Sequence, residues 1–293
     1  MKEKRDFNVF YLILFFVLAL YVFVLLFLFG WGFINSFKGN FDGGFGYAFN
    51  KTGLPKIWHF SNYADVITKL KVTKDGFTFA LPDMLINTLL YTFGTAFVST
   101  FVPCVVAYLI AIYDKFFFSK VVYSFVIVTM ILPIIGAAPS TIEVLRFLNY
   151  YDSIVGMWLY NSNFLVGMHF LIFYEAFKGL SKTYKEAAEI DGASQLRTMF
   201  SVMLPLVKTI FITVFILRFI AYWNDYQTPI LYMPHKPTIA YGIFEFFFQS
   251  DNVYSTVPMK LTGAFIVAIP IIIVFILCQK KIMRNVTVGG IKG

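Results

Sequence analysis

Residues 10–33 read FYLILFFVLALYVFVLLFLFGWGF, 24 consecutive positions without a charged side chain. A helix crossing a bilayer needs about 20 mostly apolar residues, so this run predicts a membrane span. Lys2, Lys4 and Arg5 precede it. The run is too long for the apolar core of a signal peptide, and no small-residue cleavage site follows. The whole chain agrees: 59% of its 293 residues are hydrophobic, 20% are aromatic and 14% are charged. A soluble domain carries roughly 25% charged residues.

Five further apolar runs follow. The second covers residues 85–113, the third 121–139 with Pro133 inside, and the fourth 154–177. The fifth begins after Pro205 and reaches about residue 222, and the sixth covers 261–278 with Pro270 inside. The expected fold is all-α and polytopic, with six transmembrane helices kinked at the internal prolines. A short N-terminal segment, residues 1–9, precedes one transmembrane domain over 10–293. Within it lie a long connection at about 35–84, a polar loop at about 178–205 between the fourth and fifth spans, and a tail at about 279–293.

The net charge of +8 is spread in short clusters between the apolar runs. That pattern encodes topology and does not form the contiguous basic footprint of a nucleic-acid binder. With the N-terminus inside, the inner segments hold 14 of the 24 Lys and Arg residues, and the short loops decide the orientation. Both termini are expected on the cytoplasmic side. Cys104 and Cys278 both fall in apolar runs, which supports neither a disulfide framework nor a zinc site.

The polar loop carries most of the information. Lys182 with Glu186 and Lys185 with Glu189 stand at i,i+4 spacing, each pair supporting a helix by roughly 0.2–0.5 kcal/mol. Gly192 is placed to close that helix in the left-handed conformation. Leu196, Met199, Phe200, Met203 and Leu204 then mark an amphipathic face that Pro205 stops or bends. The loop should be helix, glycine turn, helix, with an apolar face free beneath the membrane. Two readings fit: a docking element for a partner's groove, or a helix pair resting on lipid headgroups.

The run Glu186-Ala187-Ala188, then Gly192, then Leu204-Pro205 resembles the EAA loop of importer-type ATP-binding cassette permeases. Asn62-Tyr63, Asn87-Thr88-Leu89, Trp223-Asn224-Asp225 and the final Gly289-Gly290-Ile291-Lys292-Gly293 resemble landmarks of the carbohydrate branch, the maltose permease G subunit family. Ser181 stands where that family commonly has a proline. The resemblance implies a pore-forming subunit in a bacterial cell membrane that is not itself an enzyme. It implies a coupling helix at Glu186, Ala187, Ala188, Gly192, Leu204 and Pro205, and a tail (Gly289, Gly290, Lys292) reaching the ATPase. The implied partners are a second permease subunit, two cytoplasmic ATPase subunits that bind ATP and Mg, and an external solute-binding protein. The chain contains no G-x-x-x-x-G-K-[ST] run of its own.

Polar groups at membrane depth are expensive and tend to face an interior or a cavity. The candidates for a solute path are Asn163, His169 and Glu175 on the fourth span, Arg218 on the fifth, and Trp223, Asn224 and Asp225 just after it. The blander alternatives are a structural Glu175–Arg218 pair and a His169 hydrogen-bonded within the core. The abundant aromatics are expected in packing and interfacial belts, not in sugar stacking. A self-powered transporter would have no use for the docking loop. A membrane enzyme would need a metal or nucleophile cluster that His59, His169 and His235 do not form.

Overall fold

The 28-residue run that opens the chain folds as one helix, α1 (Val9–Ser36). It belongs to a computed structural model describing residues 9–132, 136–163, 167–248 and 256–286. The chain forms two compact units, Met1–Leu70 with Glu245–Ala268, and Lys71–Phe244 with Ile269–Gly293. Pro133, Gly289, Gly290 and Lys292, singled out above, lie outside the described residues.

In the first unit, α1 is apolar on every side and exposed along nearly its whole length, as lipid-facing helices are. Gly32 lets it approach Leu261 and Phe265, and Phe265 meets the rings of Phe29 and Phe33 edge-on. After α1 the chain makes a short turn at Asp42–Gly44 and a helix, α2 (Ser61–Lys69). The Asn62 amide donates to the Ser36 and Lys38 carbonyls at 2.8 and 3.0 Å, and Tyr63 and Ser36 join hydroxyls at 2.9 Å. Asn62 thus satisfies backbone carbonyls at and just past the end of α1.

The second unit starts with a hairpin of β1 (Lys71–Lys74) and β2 (Phe77–Ala80), which corrects the all-helical expectation. Asp75 and Gly76 both have positive φ, 48° and 84°, as a tight two-residue hairpin turn requires. Next comes α3 (Leu81–Ile112), the long central helix. Its inner face carries Thr88, Thr92, Thr95, Ser99 and Thr100 beside Tyr91, Ala96 and Ala107, all buried. Small side chains there allow the neighbouring helices to pack closely.

The third expected span is shorter than anticipated: α4 (Phe117–Ile131) ends before Pro133, and a separate helix, α5 (Ala138–Phe147), follows. The fourth is interrupted, as α6 (Ile154–Tyr160) and α7 (Met168–Lys178), around the polar Asn161-Ser162-Asn163. Then come α8 (Thr183–Ile190), α9 (Gln195–Leu206) and α10 (Lys208–Trp223). The remaining helices are α11 (Gln227–Tyr232), α12 (Ile239–Phe248) and α13 (Val257–Val286), the last running on through Pro270. Among the described residues, α1, α3 and α13 are each long and apolar enough to cross a membrane. Counting the bent pair α9–α10 as one span makes four.

Candidate functional site

The loop between α7 and α10 folds as a closed helix–turn–helix. Ser181, in the place of the family's proline, accepts from the Thr183 N–H at 3.3 Å and meets the Thr183 hydroxyl at 2.6 Å, so its hydroxyl serves the start of α8. Lys185 pairs with Glu189 at 3.3 Å, as its spacing predicts. No Lys182–Glu186 pair joins it among the described residues. At the far end Gly192 N–H donates to Glu189 O and Ala193 N–H to Ala188 O, at 3.1 and 2.9 Å. This is the Schellman closure, with Gly192 at φ +73°. A Cβ at Gly192 would meet nothing within 4 Å, so glycine is required by the backbone angle and not by crowding.

Ser194 then caps α9, accepting from the Arg197 N–H at 3.4 Å. Within α9 the residues Met199–Met203 form a π turn, and Leu204 N–H reaches back to Met199 O. Pro205 has no N–H for a regular helical bond and its ring would crowd the carbonyl four residues back, so widening the turn accommodates it. Two residues later, at Val207, α9 and α10 diverge by 76°.

The expected apolar face of α9 divides. Met199 and Met203 are buried against Ala107, Ala111 and Phe177, whereas Leu196 and Phe200 are 69% and 49% exposed. Only part of the stripe is free, because the π turn shifts the register of the helix. On α8, Ala188 is buried while Glu186, Ala187 and Ile190 are exposed, Ile190 to 86%. Between the two helices lies a cavity of about 740 Å³ lined by Tyr184, Ala187, Ala188, Asp191, Arg197 and Ser201, among others. Leu204 is half-buried and Pro205 exposed.

The pair is fixed to the body of the unit by side chains. Gln195 donates to Glu189 at 3.1 Å and accepts from the Tyr113 hydroxyl at 2.9 Å, just past the end of α3. Lys185 sits over the Tyr113 ring at 5.3 Å. Those contacts from Gln195 and Lys185 hold the Glu189 carboxyl below its ordinary range.

The residues expected along a solute path separate into three groups. Glu175 and Asn163 are exposed, and no ion pair links Glu175 to Arg218 among the described residues. Glu175 points away from the side of α7 that packs Phe170, Phe173 and Phe177 into the core, which removes the anticipated Glu175–Arg218 pair. Asp225 is anchored by two hydrogen bonds: Oδ2 accepts from the Tyr91 hydroxyl at 2.7 Å and Oδ1 from the Thr228 N–H at 3.1 Å. Trp223 is buried and stacks on Phe219, and the exposed Asn224 donates to the Ile220 carbonyl.

His169 and Arg218 form the third group. His169 Nδ1 and Arg218 Nε are buried without hydrogen-bond partners among the described residues. Arg218 lines a cavity of about 340 Å³ with Tyr222, Asn224, Asp225, Tyr226 and Gln227 among its walls.

Sequence reading passed over His235, which the fold sets between two carboxylates. Its Nε2 lies 3.0 Å from Asp75 Oδ2 and its Nδ1 2.9 Å from Asp152 Oδ2. The Asn87-Thr88 landmark braces the same region: Asn87 donates to the Pro237 carbonyl at 3.1 Å, and Thr88 accepts from the Ile239 N–H at 2.8 Å.

Long apolar helices, a row of buried hydroxyls inside the larger unit and a side-chain-anchored helix pair projecting from it are the build of a membrane-embedded transport subunit. The chain belongs to the family of binding-protein-dependent transport system inner membrane components, whose profile matches residues 103–286. It is 25% identical over 242 residues to the arabinooligosaccharides transport system permease protein AraQ of Bacillus subtilis, covering 82% of this chain and 81% of the relative. It is 26% identical over 262 residues to the probable starch degradation products transport system permease protein AmyC of Thermoanaerobacterium thermosulfurigenes, covering 88% and 89%. Its fold matches a chain of a bacterial ABC transporter involved in the import of the acidic polysaccharide alginate. There the TM-score is 0.72 at 24% identity, covering 96% of this chain and 99% of that one.

Proposed function

We propose that the chain is a pore-forming subunit of an ATP-driven importer that carries a sugar or oligosaccharide into the cytoplasm, with α8 and α9 as the coupling element. The observation that carries this reading is the helix pair itself. It is closed by a Schellman turn at Gly192 and tied to the end of α3 through Gln195 and Tyr113, yet its outer face at Glu186, Ala187, Ile190 and Leu196 is open. A rigid anchored lever with an unsatisfied outer surface suits a groove on a cytoplasmic ATPase subunit. The sugar assignment is supported by the oligosaccharide and starch-product systems of the two relatives.

On this reading two ATPase subunits bind ATP and Mg and perform the hydrolysis, and this chain binds neither. Nucleotide binding shifts the helices between inward-open and outward-open arrangements through α8 and α9. A second permease subunit completes the path and an external solute-binding protein delivers the solute. Six crossings follow if α4, the interrupted α6–α7 pair and α10 each join the three long helices as spans, since broken helices at membrane depth are tolerated where protein buries them. Both termini then face the cytoplasm, the side that holds α8 and α9, and the tail at Gly289, Gly290 and Lys292 reaches the ATPase pair.

The test is uptake of a labelled oligosaccharide into proteoliposomes holding the full complex with its binding protein. Uptake that requires internal ATP and stops when this chain is omitted is the expected result. Uptake driven by an ion gradient without nucleotide would replace this reading with a self-powered transporter.

A further inference from the structure

We propose that the elbow between α3 and α4 holds an anionic phospholipid, with its phosphate in a lysine-lined cavity beside α8 and an acyl chain in an adjoining apolar groove. The site is separate from the solute path and from the outer face of α8 and α9, and its test does not depend on what the subunit transports.

Residues 113–120 of the elbow read YDKFFFSK. Phe116, Phe117 and Phe118 are 63%, 77% and 79% exposed, with the exposed Lys115 and Lys120 on either side. Three open phenylalanine rings in a row are unfavourable in water. At a headgroup boundary they are favourable, because rings enter the acyl layer while flanking ammonium groups stay with the phosphates.

Two concavities meet at this elbow. A groove of about 300 Å³ has Leu109, Ile110, Phe118 and Val122 among its walls, together with Tyr113 and Phe116. Tyr113 and Phe116 also line a cavity of about 390 Å³, and their rings meet edge-on at 5.8 Å. The same two rings thus wall both an apolar space and a charged one, as a molecule with an acyl chain and a charged head requires.

The charge of the cavity is set by four lysines, Lys115, Lys178, Lys182 and Lys185, and three carboxylates, Asp114, Glu186 and Glu189. Lys185 and Glu189 pair at 3.3 Å, and Gln195 also donates to Glu189, so that pair is closed on itself. The other three lysines face two carboxylates, all five exposed and without an ion pair among the described residues. The surplus is one positive charge, which a single phosphodiester neutralises and a neutral headgroup does not. The two carboxylates suit the hydroxyls of a glycerol headgroup, which would donate to them. Lysines gathered beside an apolar groove at the ends of membrane helices are the arrangement that retains anionic headgroups. Lys115 follows α3, Lys178 ends α7 and Lys182 precedes α8, so a bound head bridges the elbow to α8 and adds to the link that Tyr113 makes with Gln195.

The test places the full complex in nanodiscs of phosphatidylcholine that contain a phosphatidylglycerol with a photoreactive group on its acyl chain. Cross-linked peptides are located by mass spectrometry, with the lipid-exposed α1 as an internal reference. The expected result is labelling within residues 109–122 that unlabelled phosphatidylglycerol suppresses about tenfold more effectively than added phosphatidylcholine. Labelling there should fall about tenfold in Lys115→Gln/Lys178→Gln and persist in Lys115→Arg/Lys178→Arg, while α1 labelling stays the same in both. Equal suppression by the two lipids, or unchanged labelling in the glutamine variant, would reduce the groove to ordinary lipid-facing surface and overturn the proposal. Labelling of α1 without labelling of 109–122 would place a protein partner over the elbow and overturn it too. Suppression by glycerol phosphate as effective as by phosphatidylglycerol would make the cavity a site for a free anion, which again overturns the lipid.

Discussion

The Tyr91 hydroxyl donates a 2.7 Å hydrogen bond to Asp225 Oδ2, joining the middle of the long helix α3 to the start of α11 across 134 residues of sequence. Asp225 looks in the sequence like part of a polar path. In the fold both its oxygens are used, the second by the Thr228 N–H that opens α11. Tyr91→Phe leaves a part-buried carboxylate oxygen short of a donor and is expected to destabilise the subunit by about 1–3 kcal/mol. Asp225→Asn should cost a similar amount, and the double variant less than the sum of the two. Unfolding midpoints of the purified subunit check this, and additive losses would show that the two side chains act independently.

Gly94 lies where α3 meets the Trp158 ring, whose indole N–H donates to the Leu90 carbonyl at 3.0 Å. A Cβ at Gly94 would collide with the five-membered ring of Trp158 at Cε2 and Nε1, so the ring must move and break that bond. Gly94→Ala is expected to lower stability by about 1–3 kcal/mol, the usual range for overpacking. Replacing Trp158 with Leu in the same background should restore part of the loss in a thermal melt.

Gly192 tests the turn between α8 and α9 separately from anything that docks on it. Its φ of +73° costs a residue with a Cβ about 1–2 kcal/mol, less for Asn, whose side chain tolerates that conformation. Amide exchange across residues 183–206 should accelerate in Gly192→Ala and much less in Gly192→Asn. Equal acceleration would place the strain elsewhere.

Glu189 makes the same helix pair sensitive to acid. Gln195 and Lys185 hold its carboxyl below the ordinary value of 4.5. A carboxyl depressed in the folded state lends its stability fully above the unfolded value, and that stability is lost as pH falls through the lower folded value. Amide protection of α8 and α9 is therefore flat near neutrality and should decline from about pH 4.5 downward. Glu189→Gln should remove that decline by lowering protection at pH 7 toward the level the wild type reaches in acid.

Much of this was legible in the sequence because each signal is local. The span at α1 follows from an unbroken apolar run, and the closing turn at Gly192 from a glycine placed just after a helix with i,i+4 pairs. The polar landmarks could be seen but not explained until the fold paired them: Asn62 with the carbonyls after α1, Asn87 and Thr88 with Pro237 and Ile239, 150 and 151 residues away. The hairpin had a signal, Asp75-Gly76 between two β-prone stretches, that the surrounding polar loop concealed. The break between α6 and α7 was written in Asn161-Ser162-Asn163, inside an otherwise apolar run. Nothing local marked His235, whose carboxylate neighbours lie 160 and 83 positions upstream. Nor did periodicity reveal the division of the α9 face, because the π turn forced by Pro205 departs from the 3.6-residue repeat on which that reading depends.

The most direct test of the central claim, that the outer face of α8 and α9 receives force from an ATPase, is made at Ile190. At 86% exposed it makes almost no contact within the chain, so Ile190→Asp should leave the subunit's own melting temperature unchanged. The measurement is recovery of the ATPase with the tagged subunit, together with solute-stimulated hydrolysis by the purified complex. The account predicts that the wild type retains the ATPase and that Ile190→Asp loses recovery or stimulation at least tenfold. A complex that assembles and hydrolyses equally well with Asp at 190, or a folded wild-type subunit that retains no ATPase, would contradict it.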